Sequence, residues 1–234
     1  MVTPPCYPVT ADVIGLHKVN TMKPSLDNAY ERVRRTEYHL ARIKRELPYL
    51  SGPTKPWREV QQGVAVFDRI IGDSITGVPA IFSILVGESI YNLRASLDYL
   101  VYELAILDSG MIQKGTQFPI EDTKNGWHGH IPTFLKGLSI KHQAAIECFQ
   151  PCNGCDWMKT LRKLSNPDKH RTLTVMRLVA HIGKSHSQPI SELVQIHPQF
   201  TIDITFDDGS PVVETIKELK AHITEVLDSF NPEF

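Results

Sequence analysis

Long apolar runs are absent from this sequence. Its most apolar stretch, residues 79 to 107, is repeatedly interrupted by polar side chains, whereas a bilayer-spanning helix needs about 20 mainly apolar residues. The interrupting residues are Glu88, Asn92, Arg94, Asp98 and Glu103. The first ten residues contain no Lys or Arg, so they lack the basic start of a secretory signal peptide. The sequence therefore predicts no membrane association.

An excess of either charge is also absent. The chain has 25 Lys and Arg against 26 Asp and Glu, which gives a net charge of −1. Such a balance argues against a protein that binds nucleic acid or membrane over its whole surface. A local basic patch is still compatible with it.

Cysteines are few, and their number predicts a reducing compartment. A chain of 234 residues buries roughly 70% of its unfolded surface, so it needs no disulfide scaffold, and we predict a cytoplasmic protein. The four cysteines are Cys6, Cys148, Cys152 and Cys155.

The last three cysteines have the C-x3-C-x2-C spacing of some iron–sulfur sites, but no βα alternation surrounds them. A zinc site that adds His142 or His170 would have suitable ligand types. His128 and His130 in a predicted loop are a weaker metal pattern. Small buried cysteines are the simpler interpretation, and we expect no metal and no cofactor.

The apolar pattern predicts a mainly helical fold. Apolar residues recur every three or four positions, as in amphipathic helices. One helix is predicted from residue 25 to 47 with Ser25 as its N-cap, and a long one from about 79 to 107. Because the second is apolar nearly all round in its C-terminal half, we expect it to be buried at the centre of a bundle. Residues 115–132 are predicted to form a loop. Ser139 is predicted to cap a further helix that Pro151 stops, and apolar spacing from Ile216 to Phe230 predicts a closing helix.

Strand patterns are short. Alternating apolar residues predict strands within residues 57–71 and 117–120 and a β-hairpin over residues 192–206, with Asp208-Gly209 turning the chain. No linker is evident. We therefore predict one α+β domain, mainly α, over residues 1–234: a helical bundle with a small antiparallel sheet and an irregular segment over residues 1–24.

The first predicted helix has a face that leans basic. Six cations, Arg32, Arg34, Arg35, Arg42, Lys44 and Arg45, lie there against Glu31, Glu37 and Glu46. Such a face could contact phosphate. Mixed faces of this kind are nevertheless usual on solvated helices, and that is the interpretation we prefer.

Arg94 and Asp98 are the most informative charged pair. They lie four residues apart on the long helix, on a strip that they share with Tyr91 and other apolar or aromatic residues. Burying two charges is costly unless both find partners. The pair is therefore either a structural clamp onto another segment or part of a functional site.

A second charged group follows at residues 166–171, where Asn166 and Pro167 have the pattern of an N-cap and a first helical position. Asp168 would offset the positive end of that helix. Lys169, His170 and Arg171 then remain unexplained. A histidine there can act as general acid or base, and an arginine can stabilise a developing anion.

Three motifs resemble those of a family of uncharacterised bacterial proteins. They are Asn-Leu-Arg-x-x-Leu-Asp at residues 92–98, Phe-Pro-Ile at 118–120, and Asn-Pro-Asp-Lys-His-Arg at 166–171, a close variant of Asn-x-x-Asp-Lys-His-Arg. The resemblance spans roughly residues 85 to 171 and implies no established activity.

The chain has a more remote similarity to HEPN domains, helical bundles that often act as metal-independent ribonucleases. These use an arginine followed after four to six residues by a histidine. Here Arg162 stands seven intervening residues before His170, and Lys163 occupies the fitting distance. The similarity implies that His170 would be the acid or base and that Arg94 or Arg171 would hold phosphate.

Two functional hypotheses follow. In the first, the chain is a ribonuclease or phosphodiesterase whose partner is RNA or a small anionic ligand. Its catalytic residues would be His170, Arg94, Asp98, Asp168 and Arg171, and its substrate-binding residues Tyr91, Asn92, Asn166 and Lys169. In the second, it is a non-catalytic binding or regulatory domain, and the charged residues form a structural ion-pair network. The long apolar helix would also suit a homodimer.

Overall fold

The computed structural model describes residues 23–51, 78–168, 176–183 and 199–234. These ranges contain six α-helices and two strands. The helices are α1 (Asp27–Glu46), α2 (Ala80–Ser109), α3 (Lys124–Phe134), α4 (Ile140–Cys148), α5 (Trp157–Asp168) and α6 (Val212–Phe230), and the strands are β1 (Met176–Gly183) and β2 (Gln199–Phe206). The prediction of a mainly helical protein is confirmed. The strands predicted within residues 57–71 lie outside the described residues.

Helices α1 and α2 pack side by side in opposite directions. The Thr36 hydroxyl of α1 donates to the Ser89 carbonyl oxygen of α2 at 3.4 Å, and the Ser25 N–H before α1 donates to Glu103 Oε2 at 3.3 Å. The Ser25 hydroxyl accepts the Asp27 N–H at 3.1 Å, although Leu26 holds the N-cap position that we predicted for Ser25. Ser25 therefore still satisfies one of the orphan donors of the first turn.

Helix α2 covers the stretch predicted as helix from about 79 to 107. It contains 30 residues, which correspond to about 45 Å at 1.5 Å per residue. It packs against α1, α5 and α6, and this contact on several sides explains why its sequence is apolar nearly all round. Gly110 ends it with a φ of 69°, a left-handed conformation that glycine adopts without a steric penalty.

Short helices α3 and α4 both begin at a hydroxyl cap. Thr123 Oγ1 accepts the Gly126 N–H at 3.1 Å, and Ser139 Oγ accepts the His142 N–H at 3.3 Å. The predicted Ser139 cap is confirmed. Helix α3 was predicted as a loop, because its glycines and proline disfavour a helix; burial of Trp127, which is 1% exposed, stabilises it instead.

Strands β1 and β2 pair antiparallel, with Met176 opposite Phe206 and Gly183 opposite Gln199. Of the predicted hairpin over residues 192–206, the part before residue 199 lies outside the described residues. The Asp208-Gly209 turn does not join two strands, as the hairpin prediction implies. It leads from β2 into α6, with Gly209 at a φ of 83°.

Two further predictions of local structure are wrong. Residues 117–120 are irregular, not a strand. Asn166 and Pro167 do not start a new helical segment, because α5 continues through both to Asp168.

One apolar core joins these elements. Buried side chains from all six helices, from β2 and from the loop after α2 belong to a single cluster. Members from the loop and the smaller elements include Phe118, Trp127, Ile146, Met158 and Phe206. The loop that contains Phe118 is therefore part of the core, although it has no regular structure.

Candidate functional site

Arg94 and Asp98 face the loop of residues 117–121 from α2. Arg94 Nη2 lies 3.2 Å from Asp98 Oδ1. Arg94 is 5% exposed, and the side chain of Asp98 is 32% exposed. Burial lowers the pKa of Arg94, and the Asp98 carboxylate opposes that shift. The pair is thus a charged group set into the core with one edge near solvent.

Both side chains bind the backbone of one residue, Phe118. Asp98 Oδ1 accepts the Phe118 N–H at 2.9 Å, and Arg94 Nη2 donates to the Phe118 carbonyl oxygen. The Phe118 ring is fully buried. We call this arrangement the Arg94–Asp98 clamp, because one ion pair satisfies both polar backbone groups of a core residue.

The rest of the loop is held in the same way. Arg162 Nη1 donates to the Ile120 carbonyl oxygen at 3.0 Å, and Gln150 Oε1 accepts the Glu121 N–H at 3.0 Å. The Glu121 carbonyl oxygen accepts the Cys152 N–H at 3.1 Å. Side chains and loop backbone thus supply the partners that a neighbouring strand would have supplied, which explains why residues 117–120 are not a strand.

These contacts also relate two of the sequence motifs. The arginine and aspartate of Asn-Leu-Arg-x-x-Leu-Asp are the residues that bind the phenylalanine backbone of Phe-Pro-Ile. The two motifs are therefore halves of one structural unit, joined by the clamp.

One nitrogen of the Arg94 guanidinium takes no part in the clamp. Arg94 Nη1 is buried and has no hydrogen-bond partner in the described part of the chain. At 5% exposure, however, the guanidinium lies beneath the loop. A substrate phosphate would have to displace residues 117–121 to reach it.

The predicted substrate-binding residue Asn92 does not join Arg94. Successive helical residues turn by about 100°, so Asn92 and Arg94 point to nearly opposite sides of α2. Asn92 is 5% exposed and its Oδ1 accepts from Arg32 Nη1 of α1 at 3.1 Å. The structure therefore divides the predicted site between two faces of one helix.

The second predicted group is described only at its start. Asn166 is exposed in the last turn of α5, and Asp168 ends that helix. Lys169, His170 and Arg171 lie outside the described residues, as does the side chain of Asp168. Their proximity to the clamp remains a prediction.

The structure describes Cys148, Cys152, Cys155 and all of the candidate metal-binding histidines except His170. Cys148 is exposed and Cys152 and Cys155 are half-buried, all as free thiols, so the prediction of buried cysteines is wrong for Cys148. His128 and His130 lie within α3, where residues two apart diverge. No group of three or more His, Cys, Asp or Glu suited to a metal ion occurs among the residues with described positions.

A second cluster, which the sequence interpretation missed, lies where α1 meets α2. The Arg32 guanidinium is 5.8 Å from the ring centroid of Tyr91 and 5.5 Å from that of Tyr99. One turn further along α1, the Arg35 guanidinium is 4.9 Å from the ring of Tyr38. These distances are typical of cation–π contacts.

The exposed members of this cluster form an open surface. Tyr38 is 61% exposed and Tyr91 is 53% exposed. We call Arg32, Arg35, Tyr38 and Tyr91 the arginine–tyrosine surface. The basic face of the first helix was its sequence signal, but Tyr91 belongs to a segment distant in the sequence, which only the packing of α1 on α2 brings near.

No protein-family model, curated protein or solved structure matches this chain. Among the helices of the described ranges, none combines the length and apolarity needed to cross a bilayer.

Proposed function

We propose that this chain is a non-catalytic binding domain, a helical bundle around α2 with β1 and β2 as its small antiparallel sheet. In this domain the Arg94–Asp98 clamp is structural. The observation that carries the proposal is that both members of the pair are engaged by the backbone of Phe118.

The state of each group supports this role. A guanidinium that stabilises a transition state must reach the reacting phosphate, yet Arg94 is 5% exposed. Asp98 Oδ1 already contacts both the Phe118 N–H and Arg94. If Arg94 and Asp98 bound a substrate instead, the N–H and carbonyl oxygen of Phe118 would lose these partners, each at a cost of about 1–3 kcal/mol.

The rival hypothesis is a HEPN-like ribonuclease in which His170 is the acid or base. It also needs Arg94 or Arg171 at the phosphate, and Arg94 is occupied by the loop. The clamp geometry therefore favours a binding domain over a phosphodiesterase that uses Arg94.

We also propose that the domain works in the cytoplasm. Three thiols, Cys148, Cys152 and Cys155, stand within eight residues of sequence and all are free. Unpaired thiols at this density fit a reducing compartment better than an oxidising one.

The test is a cleavage assay with 5′-labelled single-stranded RNA, read on a denaturing gel, with the wild-type chain and the His170→Ala variant. We expect intact RNA with both proteins. Cleavage by the wild type that is lost in His170→Ala but kept in His222→Ala, a matched change on α6, would overturn the proposal.

A further inference from the structure

The arginine–tyrosine surface is continuous across α1 and α2. Arg32, Arg35 and Tyr38 succeed one another at spacings of three on α1, so each neighbours the next. Tyr91 of α2 joins them through Arg32, whose guanidinium lies near its ring. The surface thus has two exposed rings with a guanidinium against each.

Arg32 is held in place before any ligand binds. Its Nη1 donates to Asn92 Oδ1 at 3.1 Å, and Asn92 Nδ2 in turn donates to the Glu88 carbonyl oxygen at 2.8 Å. A guanidinium has five N–H donors. Since the Arg32 guanidinium forms no other hydrogen bond within the described ranges, donors remain for an anion.

Carboxylates around the surface are mostly engaged elsewhere. Glu31 pairs with Arg34, Glu37 with Lys220, and Glu46 with Arg42. Neither Arg32 nor Arg35 forms an ion pair with a carboxylate of the described residues.

One acid is the exception. Glu88 Oε2 lies 3.5 Å from His39 Nε2, and burial lowers the pKa of His39, with Arg35 and Arg42 adding to the shift and Glu88 opposing it. The histidine is therefore neutral at pH 7 and leaves the charge of Glu88 in place. Glu88 therefore reduces the positive charge of the surface, but one carboxylate does not neutralise both arginines.

We infer that the arginine–tyrosine surface binds single-stranded nucleic acid, with bases stacked on Tyr38 and Tyr91 and phosphates held by Arg32 and Arg35. The inference rests on the proposed function of a binding domain and names its ligand. Proteins that bind single strands combine backbone-tracking cations with aromatic platforms of this kind.

Exposed rings distinguish this ligand from an acidic peptide. A peptide carboxylate would need only the arginines, whereas two tyrosines more than half exposed offer stacking area that bases fill and carboxylates do not. A duplex, whose bases are already stacked, would contact only the cations.

The experiment measures fluorescence anisotropy of a labelled twelve-nucleotide oligouridylate on titration with the full chain. We expect salt-dependent binding that Tyr91→Ala and Tyr38→Ala each weaken by about 5- to 150-fold. Tyr91→Phe and Tyr38→Phe should bind like the wild type, because they keep the ring.

Charge variants complete the test. Arg35→Gln should reduce the slope of log K against log salt concentration by about 0.7, the value for one lost phosphate contact on a single strand. Lys159→Gln, which makes the same change in net charge on α5, should leave the slope unaltered. Glu88→Gln should tighten binding, an effect that a merely structural surface would not produce.

Several results would overturn the inference: no binding by the wild type, equal binding by the Tyr→Ala variants, or a polyglutamate peptide that binds as tightly as the oligouridylate. Circular dichroism of each variant checks that it is folded. Analysis of the same samples on a denaturing gel separates the two proposals. Binding with His170-dependent cleavage refutes the non-catalytic function and keeps the surface, whereas absence of both binding and cleavage refutes the surface alone.

Discussion

The Arg94–Asp98 clamp and the arginine–tyrosine surface both depend on arginine side chains, but the clamp arginine is buried and the surface arginines lie beside exposed rings. In the clamp, a guanidinium that is 5% exposed binds a carboxylate and a backbone carbonyl oxygen. On the surface, Arg32 and Arg35 have no carboxylate partner among the described residues and lie against exposed tyrosine rings.

The difference shows how burial decides what an arginine does. In the core, a charge must be compensated, and removing one partner of a buried pair is strongly destabilising. At the surface, water compensates the charge, so an unpaired arginine costs little and stays available to a ligand. The clamp therefore contributes to stability and the surface to recognition, and variants of each should affect different measurements.

The largest expected effect is that of Arg94→Ala. It removes the Arg94 donor to the Phe118 carbonyl oxygen and the ion pair between Arg94 and Asp98, so we expect the free energy of unfolding to fall by about 3–5 kcal/mol. Urea denaturation followed by circular dichroism measures it. Arg34→Ala, at an exposed pair with Glu31, is the control and should cost less than about 1 kcal/mol. Equal losses in the two variants would contradict a structural clamp.

A smaller loss, about 1–3 kcal/mol, is expected for Gln150→Leu. Gln150 is fully buried, and its side chain accepts the Glu121 N–H. A leucine of similar size leaves that N–H unsatisfied. Hydrogen exchange should show faster exchange of the Glu121 amide than in the wild type; unchanged protection would mean that Gln150 does not hold the loop.

Beside the surface, His39 should make stability depend on pH. Its pKa in the folded state is lowered from 6.5, chiefly by burial, so between that lowered pKa and 6.5 the unfolded state binds more protons. Stability is then fully present above pH 6.5 and falls as pH decreases through this window. His39→Gln should flatten the dependence of the urea midpoint between pH 5 and 8. The exposed His128 offers the control: if His128→Gln flattens the curve as much, His39 is not its cause.

The smallest effect on stability is expected for Arg35→Gln, within about 0.5 kcal/mol of the wild type. The same variant should weaken binding of the oligouridylate, so stability and binding separate at this position. Urea denaturation at matched salt measures the first quantity. A loss of stability similar to that of Arg94→Ala would remove the distinction between the two regions.

Local patterns allowed part of this fold to be predicted. Helices α1 and α6 follow apolar spacing, and the Ser139 cap follows a serine before an apolar run. Helix α3 was missed because its glycines and proline oppose a helix, while the burial of Trp127 that stabilises it depends on the rest of the core. Residues 117–120 alternate like a strand, but side chains from distant segments bind the backbone of Phe118 and Ile120.

The candidate site shows the same limit. The sequence identified Arg94 and Asp98 as a pair needing partners, since charges on an apolar strip cannot be buried alone. It did not identify Phe118 as the partner or separate Asn92 from Arg94. It also did not associate Tyr91 with Arg32, because that contact crosses from α2 to α1.

By itself, the sequence determined the mainly helical class and the presence of a charged pair within an apolar helix, because both follow from spacing along one segment. Only the packing of distant segments decided that this pair holds a loop and that arginines with no carboxylate partner among the described residues share one surface with exposed tyrosines. Both features depend on which segments pack together and on how exposed their side chains are to water. The spacing of residues within one segment encodes neither property.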